Sequence, residues 1–202
     1  VLPIEGGYIE VNGRKITGKI GSFMKSKISM LPANRKENSV IPDLSILENF
    51  YTSEHVLTKK KQFINEKKEE EKYLAQKEKL KIKAEDSSLG ISSLSGGNQQ
   101  KVCLAKAFAL EPKLLFVSEP TRGIDVGAKA LVLEALKKAN KENGTTIVMV
   151  SSELEELRSI CDRIAIITDG KVEGILPASS SSEEFGALMI SAGKALKKET
   201  EK

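Results

Sequence analysis

Two short, continuous apolar runs constrain this chain more than any other feature. Leu114-Leu115-Phe116-Val117 and Thr145-Thr146-Ile147-Val148-Met149-Val150 each lack the polar alternation of a half-exposed strand, which is the mark of strands buried on both faces in a parallel sheet. Between them Ala128, Val132, Ala135, Leu136 and Ala139 recur at helical spacing, and Asn143-Gly144 ends that pattern in the manner of a left-handed cap. A short helix follows from Glu153 to Ile160, its acidic residues crowding the N-terminus, and a strand pair from Arg163 to Leu176 turns at Asp169-Gly170. Strand, helix, strand, helix, strand over 114–167 is the rhythm of a parallel α/β sheet.

The rest of the chain interrupts that rhythm. Tyr8-Ile9-Glu10-Val11, Asn12-Gly13 and Arg14-Lys15-Ile16 read as a hairpin, since Asn-Gly suits a two-residue type I′ turn. Lys27 to Leu31 reads as a short strand ended by Pro32. A helix is expected from Pro42-Asp43 to Phe63, with Ile46, Leu47 and Phe50 on one face, then a solvated, Lys- and Glu-rich helix over 59–83. Residues 98–110 form a third helix, stopped by Pro112. The expected organisation is a partial β subdomain over 1–42, a helical subdomain over 43–110, an α/β core over 111–176, and a linker and amphipathic tail over 177–202 containing Phe185, Leu188 and Met189.

Composition narrows the function classes. Thirty-two basic against 28 acidic residues give +4, spread along the chain and too mild to argue for nucleic acid. Cys103 and Cys161 lie in apolar periodic segments and read as buried free thiols, which suits a reducing, cytosolic setting. No apolar run approaches the roughly 20 residues a membrane helix needs, and no signal peptide is visible, so a membrane role is expected to be peripheral. The first residue is Val1, and the chain opens as if in mid-domain, so a piece of a longer polypeptide is expected.

Two strings carry the chemistry. In Leu94-Ser95-Gly96-Gly97-Asn98-Gln99-Gln100, Ser95 before a helix can be a simple cap. Equally, its hydroxyl and the free N–H groups of Gly96 and Gly97 can face an anion at the positive end of the helix. In Ser118-Glu119-Pro120-Thr121-Arg122-Gly123-Ile124-Asp125, a buried strand ends by presenting a carboxylate. The Gly-rich phosphate loop GxxxxGK[ST] is absent from the sequence.

LSGGNQQKV followed by EPTRGIDVGAK resembles the ATP-binding subunit of an ABC transporter, and specifically of importers for simple sugars or nucleosides. The first string is similar to the family's signature, the second to its Walker B exit and D-loop. Leu31-Pro32-Ala33-Asn34-Arg35-Lys36 resembles a Pro-Glu-Asp-Arg-Lys segment, Val150-Ser151-Ser152-Glu153 the switch region, and Glu183-Glu184-Phe185-Gly186 with Leu188-Met189 the C-terminus. The resemblance spans nearly the whole chain and implies the second of two nucleotide-binding domains in one polypeptide. The fold it implies is a RecA-like parallel-sheet core with an inserted helical subdomain and a small antiparallel β element, N-terminally truncated before Val1, where the family places its phosphate loop.

The departures from the family pattern are specific. Ser118 replaces the Asp that holds magnesium through water, so no metal ligand is expected here. Ala33 takes the Q-loop position and Ser152 the position of the switch histidine. The single histidine, His55, falls in the helical block and is expected at the surface. Glu119 keeps the general-base position but is expected to be idle without a metal or a positioned water. ABC domains pair head to tail, so the resemblance implies that Ser95, Gly96, Gly97 and Gln99 serve an ATP site on a partner domain, with Asp125 at the interface and Mg2+ held mainly by that partner. Arg122 and Gly123 read as turn residues or as interface contacts. The implied partners are the N-terminal nucleotide-binding domain of the same polypeptide, integral membrane permease subunits at the cytoplasmic face, and indirectly a substrate-binding protein. Pro32, Ala33, Pro42, Leu44, Ile46 and Leu47 are candidate permease contacts, or ordinary core positions. A sugar is the first expectation for the cargo, with a nucleoside second. A non-catalytic scaffold of an ABC assembly, or a soluble ABC ATPase of translation or DNA repair, are the rival readings.

Overall fold

The computed structural model describes residues 6–11, 13–16, 22–23, 26–58 and 64–190; for 35, 36 and 54–58 it describes the backbone alone. The part of the solvated helix expected over 59–63, the side chain of His55 and the turn residue Asn12 lie outside this description. The chain divides after Val150 into two compact units.

The first unit begins with a hairpin, β1 (Ile9–Val11) and β2 (Arg14–Ile16), joined by a two-residue turn whose Gly13 has φ 74°. Its centre is a three-stranded parallel sheet of β3 (Ile28–Leu31), β4 (Leu114–Ser118) and β5 (Thr146–Val150), in that spatial order. The register aligns Met30 with Phe116 and Phe116 with Val148, and Ser118 with Val150. Alternate residues Leu31, Leu115 and Val117 are buried, but Met30, Phe116, Val148 and Val150 are exposed. The expectation of strands covered on both faces is therefore corrected for this unit. The apolar character of the strands continues onto the exposed face.

Helices occupy the intervals between these strands. A single turn, α1 (Arg35–Asn38), precedes α2 (Ile46–Thr58) and α3 (Glu66–Leu80). After a 3-10 turn at Ile91–Ser93 comes α4 (Gly96–Ala109), which packs against α2, α3 and β3. Helix α5 (Val126–Asn143) links β4 to β5 and ends at Gly144 with φ 64°, the left-handed cap that its sequence specifies.

Helix α2 starts at Ile46, three residues after the expected Asp43, because Ser45 and Glu48 form a reciprocal capping box. The Ser45 N–H donates to Glu48 Oε2 at 2.8 Å, and the Glu48 N–H donates to Ser45 Oγ at 3.1 Å. The next two orphan N–H groups, of Ile46 and Leu47, find the carbonyls of Leu89 and Ser87 at 2.9 Å each. Helix α3 is not wholly solvated: Tyr73 and Leu80, seven residues apart and so on one face, are buried, and Tyr73 meets Phe50 of α2 edge-on with ring centroids 5.6 Å apart. The buried Glu69 is matched by Lys72 at 3.3 Å one turn on.

The second unit holds α6 (Leu154–Ile160), the antiparallel pair β6 (Arg163–Thr168) and β7 (Lys171–Pro177), and a helix over 182–190. Asp169 and Gly170 both take positive φ, 48° and 74°, as a type I′ connection requires. Ile164, Ile166, Ala178 and Phe185 make its core, with Leu154, Leu157, Cys161, Leu176 and Leu188 packed around them. A Cβ on Gly174 would lie 2.9 Å from Leu188 Cδ1, so a side chain there would require the tip of Leu188 to shift. Arg158 ties the helix over 182–190 to α6 by donating to the carbonyls of Ala178 and Ser180 and to Ser182 Oγ, at 3.1–3.3 Å.

Candidate functional site

The two chemical strings of the sequence meet at the N-terminus of α4. Ser95 is the N-cap, in extended backbone at φ −58°, ψ 155°, and is exposed. Its Oγ accepts from the Asn98 N–H at 3.4 Å and from Asn98 Nδ2 at 3.1 Å. The N–H groups of Gly96 and Gly97 belong to the first helical turn, which has no acceptor within its own helix. A Cβ built on Gly97 would lie 3.6 Å from Ala128 Cβ, 3.7 Å from Asp125 Oδ2 and 3.8 Å from Ile124 Cβ. These are ordinary contacts, so the packing of this chain does not itself demand glycine there. A glycine that its own domain does not need suits close approach by something from outside.

Asp125 stands beside this turn and caps α5, accepting from the Ala128 N–H at 2.9 Å. That hydrogen bond, first among the causes, holds its carboxyl below the usual carboxylate range. Lys101, one turn into α4, is buried and donates to the Lys81 carbonyl at 3.0 Å. Burial lowers its pKa, with the charge of Asp125 acting in the opposite sense. The arrangement offers an anion two backbone donors, one hydroxyl and the positive end of a 14-residue helix.

Gln99 points elsewhere. Its Nε2 donates to the carbonyls of Leu94 at 3.1 Å and Ile91 at 3.3 Å, so the amide braces the loop before the signature instead of facing outward with Ser95. Asn98 is the residue that sequence reasoning left without a role. Its Oδ1 accepts from the Lys83 N–H at 2.9 Å while its Nδ2 donates to Ser95. A polar residue three positions after a capping serine was the available signal.

The strand-end string is arranged differently. Ser118 closes β4 beside Val150 of β5 and is half-buried. Glu119 follows at φ 47°, left-handed backbone that costs a side-chain-bearing residue about 1–2 kcal/mol. It is held there by its N–H donating to the Val150 carbonyl at 2.8 Å and its carbonyl accepting from the Arg122 N–H at 3.2 Å. Gly123 supplies a second positive φ, 69°, and Arg122 is exposed in the same turn. Among the described residues, no group of three or more His, Cys, Asp and Glu is placed to hold a metal ion. At this strand end Ser118 offers a neutral hydroxyl and not a charged oxygen ligand. Ser152 lies exposed near the start of the second unit.

Of the candidate permease contacts, Ile46 is fully buried and belongs to the core. Pro32, Ala33, Leu44 and Leu47 are half-buried, and Pro42 is exposed. Asn49, which sequence reasoning missed, pins their loop: its Oδ1 accepts from the Ile41 N–H at 2.8 Å, and its Nδ2 donates to the carbonyls of Ile41, Leu44 and Ser45 at 2.9–3.2 Å.

A parallel sheet with a helical insertion, and a Ser-Gly-Gly helix start beside a strand-end acidic turn, define an ATP-binding cassette. The profile of the ABC transporter family matches residues 1–122, and the chain belongs to that family. Among curated proteins it is similar to the ribose import ATP-binding protein RbsA of Lactococcus lactis subsp. cremoris, 36% identical over 95% of this chain and 39% of that protein. RbsA of Bacillus licheniformis is 35% identical over the same shares. The chain thus spans about two fifths of the length of these relatives. Among solved structures, the post-hydrolysis dimer of the ATP-binding cassette MJ0796 bound to ADP and Pi shares the fold, with a TM-score of 0.73 over 88% of this chain and 75% of that one at 24% identity.

Proposed function

We propose that this chain is a catalytically degenerate nucleotide-binding domain of an ATP-driven sugar importer, and that it lends its signature to an ATP site whose phosphate loop lies on another domain. The observation that carries the reading is the head of α4. Gly97 lacks a side chain although its own domain has room for one, and an exposed Ser95 hydroxyl sits beside it.

ATP with magnesium supplies the γ-phosphoryl group that is transferred to water. Toward that group Ser95, Gly96 and Gly97 provide hydrogen-bond donors at a helix N-terminus, preorganised and costing no rearrangement at the moment of reaction. Asp125 lines the same edge at the domain interface, and Gln99 keeps the loop in place. Magnesium is held mainly by the partner, because Ser118 offers no charge. Ala33 and Ser152 lack the amide or carboxylate and the imidazole that a working site of this family would use, so Glu119 has no positioned water to deprotonate. The local half-site is idle.

The names of the relatives, both ribose import proteins, favour a simple sugar over a nucleoside as the cargo. The partners are the N-terminal nucleotide-binding domain of the same polypeptide and the permease subunits, with a substrate-binding protein acting through the permease. The chain works at the cytoplasmic face of the membrane. The loop over 41–47, pinned by Asn49, with Pro32 and Ala33, receives the permease.

The test is ATP turnover of the assembled importer carrying Ser95→Arg or Glu119→Gln. The arginine fills the space in front of the helix, and turnover is expected to fall by about a hundredfold or more. Glu119→Gln is expected to leave it within about twofold. An importer indifferent to Ser95→Arg would end the proposal that this signature serves an ATP site.

A further inference from the structure

Ser95 can serve a phosphate only if its hydroxyl hydrogen points outward, and the structure contains a device that sets this. A hydroxyl has two lone pairs and one hydrogen. Both lone pairs of Ser95 Oγ are engaged by one residue, through the Asn98 N–H at 3.4 Å and Asn98 Nδ2 at 3.1 Å. Among the described residues no acceptor takes the Ser95 hydrogen. The amide of Asn98 cannot turn over without loss, because its Oδ1 accepts from the Lys83 N–H at 2.9 Å, and a flipped amide would set an NH2 group against that donor. The Lys83 backbone therefore orients Asn98, and Asn98 in turn makes Ser95 a donor.

We infer that Asn98 is a positioning residue for the phosphate site, acting through Ser95: it fixes the serine as a hydrogen-bond donor toward the nucleotide without touching the nucleotide itself. This rests on the reading that the signature serves an ATP site. It goes further by assigning the polarity of one hydrogen bond and the residue that sets it. It also explains why asparagine suits the position. A carboxylate has the same shape and could still accept from Lys83, but its second oxygen only accepts. It would draw the Ser95 hydrogen inward and turn lone pairs toward the phosphate.

The experiment is a double-mutant cycle on ATP turnover in the assembled importer, with Asn98→Asp, Ser95→Ala and the pair together; Asn98→Ala repeats the cycle without adding a charge. Ser95→Ala alone is expected to lower kcat about tenfold or more, as is Asn98→Asp alone. In the Ser95→Ala background either change at position 98 is expected to cost less than about twofold more, because the hydroxyl through which Asn98 acts is gone. Equal losses in both backgrounds would show Asn98 to be merely structural and overturn the inference while leaving the signature's role intact. Full turnover in Asn98→Asp, with Ser95→Ala impaired, would overturn it as well. Full turnover in Ser95→Ala would overturn the inference, since Asn98 would then have no hydroxyl worth setting; the reading beneath it falls only if Ser95→Arg is harmless as well.

Discussion

The Tyr73 hydroxyl is buried between helices and has no hydrogen-bond partner among the described residues. An unsatisfied buried donor costs more than its absence would, so Tyr73→Phe is expected to raise stability by about 1 kcal/mol, read from denaturant unfolding. The pH dependence has a definite sign. Burial pushes the Tyr73 pKa up to about 12, whereas an unfolded tyrosine loses its proton near 10. Over that interval the unfolded state binds fewer protons than the folded one, so stability falls as pH rises from about 10 toward 12. The phenylalanine variant is expected to lack that part of the alkaline loss. Asp125 works in the other sense: its carboxyl is held low first by the Ala128 N–H, so its contribution is complete above the ordinary value of 3.8 and fades as pH falls through the depressed one.

Among the elements, α2 and the loop before it show how local signals and distant ones divide the work. The Ser45-x-x-Glu48 spacing is a capping signal legible in sequence, yet the proline at 42 suggests an earlier start and draws the expected boundary three residues upstream. The capping box fixes the true start together with the carbonyls of Ser87 and Leu89, 40 or more residues away, which no local pattern announces. Asn49 is the other hidden part: a polar residue in an apolar helix face reads as an imperfection until its four hydrogen bonds to 41–45 are seen. Asn49→Ala is expected to cost about 2–3 kcal/mol of stability, measured by thermal or denaturant unfolding, and to speed amide exchange at Ile41. A loss below about 0.5 kcal/mol would mean that the loop is held by other contacts. By contrast, the turn at Asp169-Gly170, the cap at Gly144 and strands β4 and β5 were readable directly, because glycine chemistry and an apolar run of strand length are local properties.

Across the whole molecule, the strings that make up the candidate site were legible and its internal wiring was not. Ser95, Gly96, Gly97 and Asp125 are named by two short strings, and the structure sets those strings side by side. The role proposed for Asn98 depends on a backbone N–H fifteen residues upstream, and the inward commitment of Gln99 on loop carbonyls at Ile91 and Leu94. Neither follows from spacing alone. The half-exposed sheet also escaped sequence reasoning, because an apolar run says that a strand wants both faces covered, not which element covers them. In the proposed function, this chain's part in ATP chemistry is concentrated in one helix start that acts on a ligand held elsewhere. Gly97→Cys reports on that most directly, since a side chain there meets only ordinary contacts at 3.6–3.8 Å within the domain. In the assembled importer, an ATP analogue with a thiol-reactive group on its γ-phosphate is expected to label Gly97→Cys, and excess unmodified ATP is expected to block the labelling. An importer that hydrolyses ATP while this position stays unlabelled would contradict the claim.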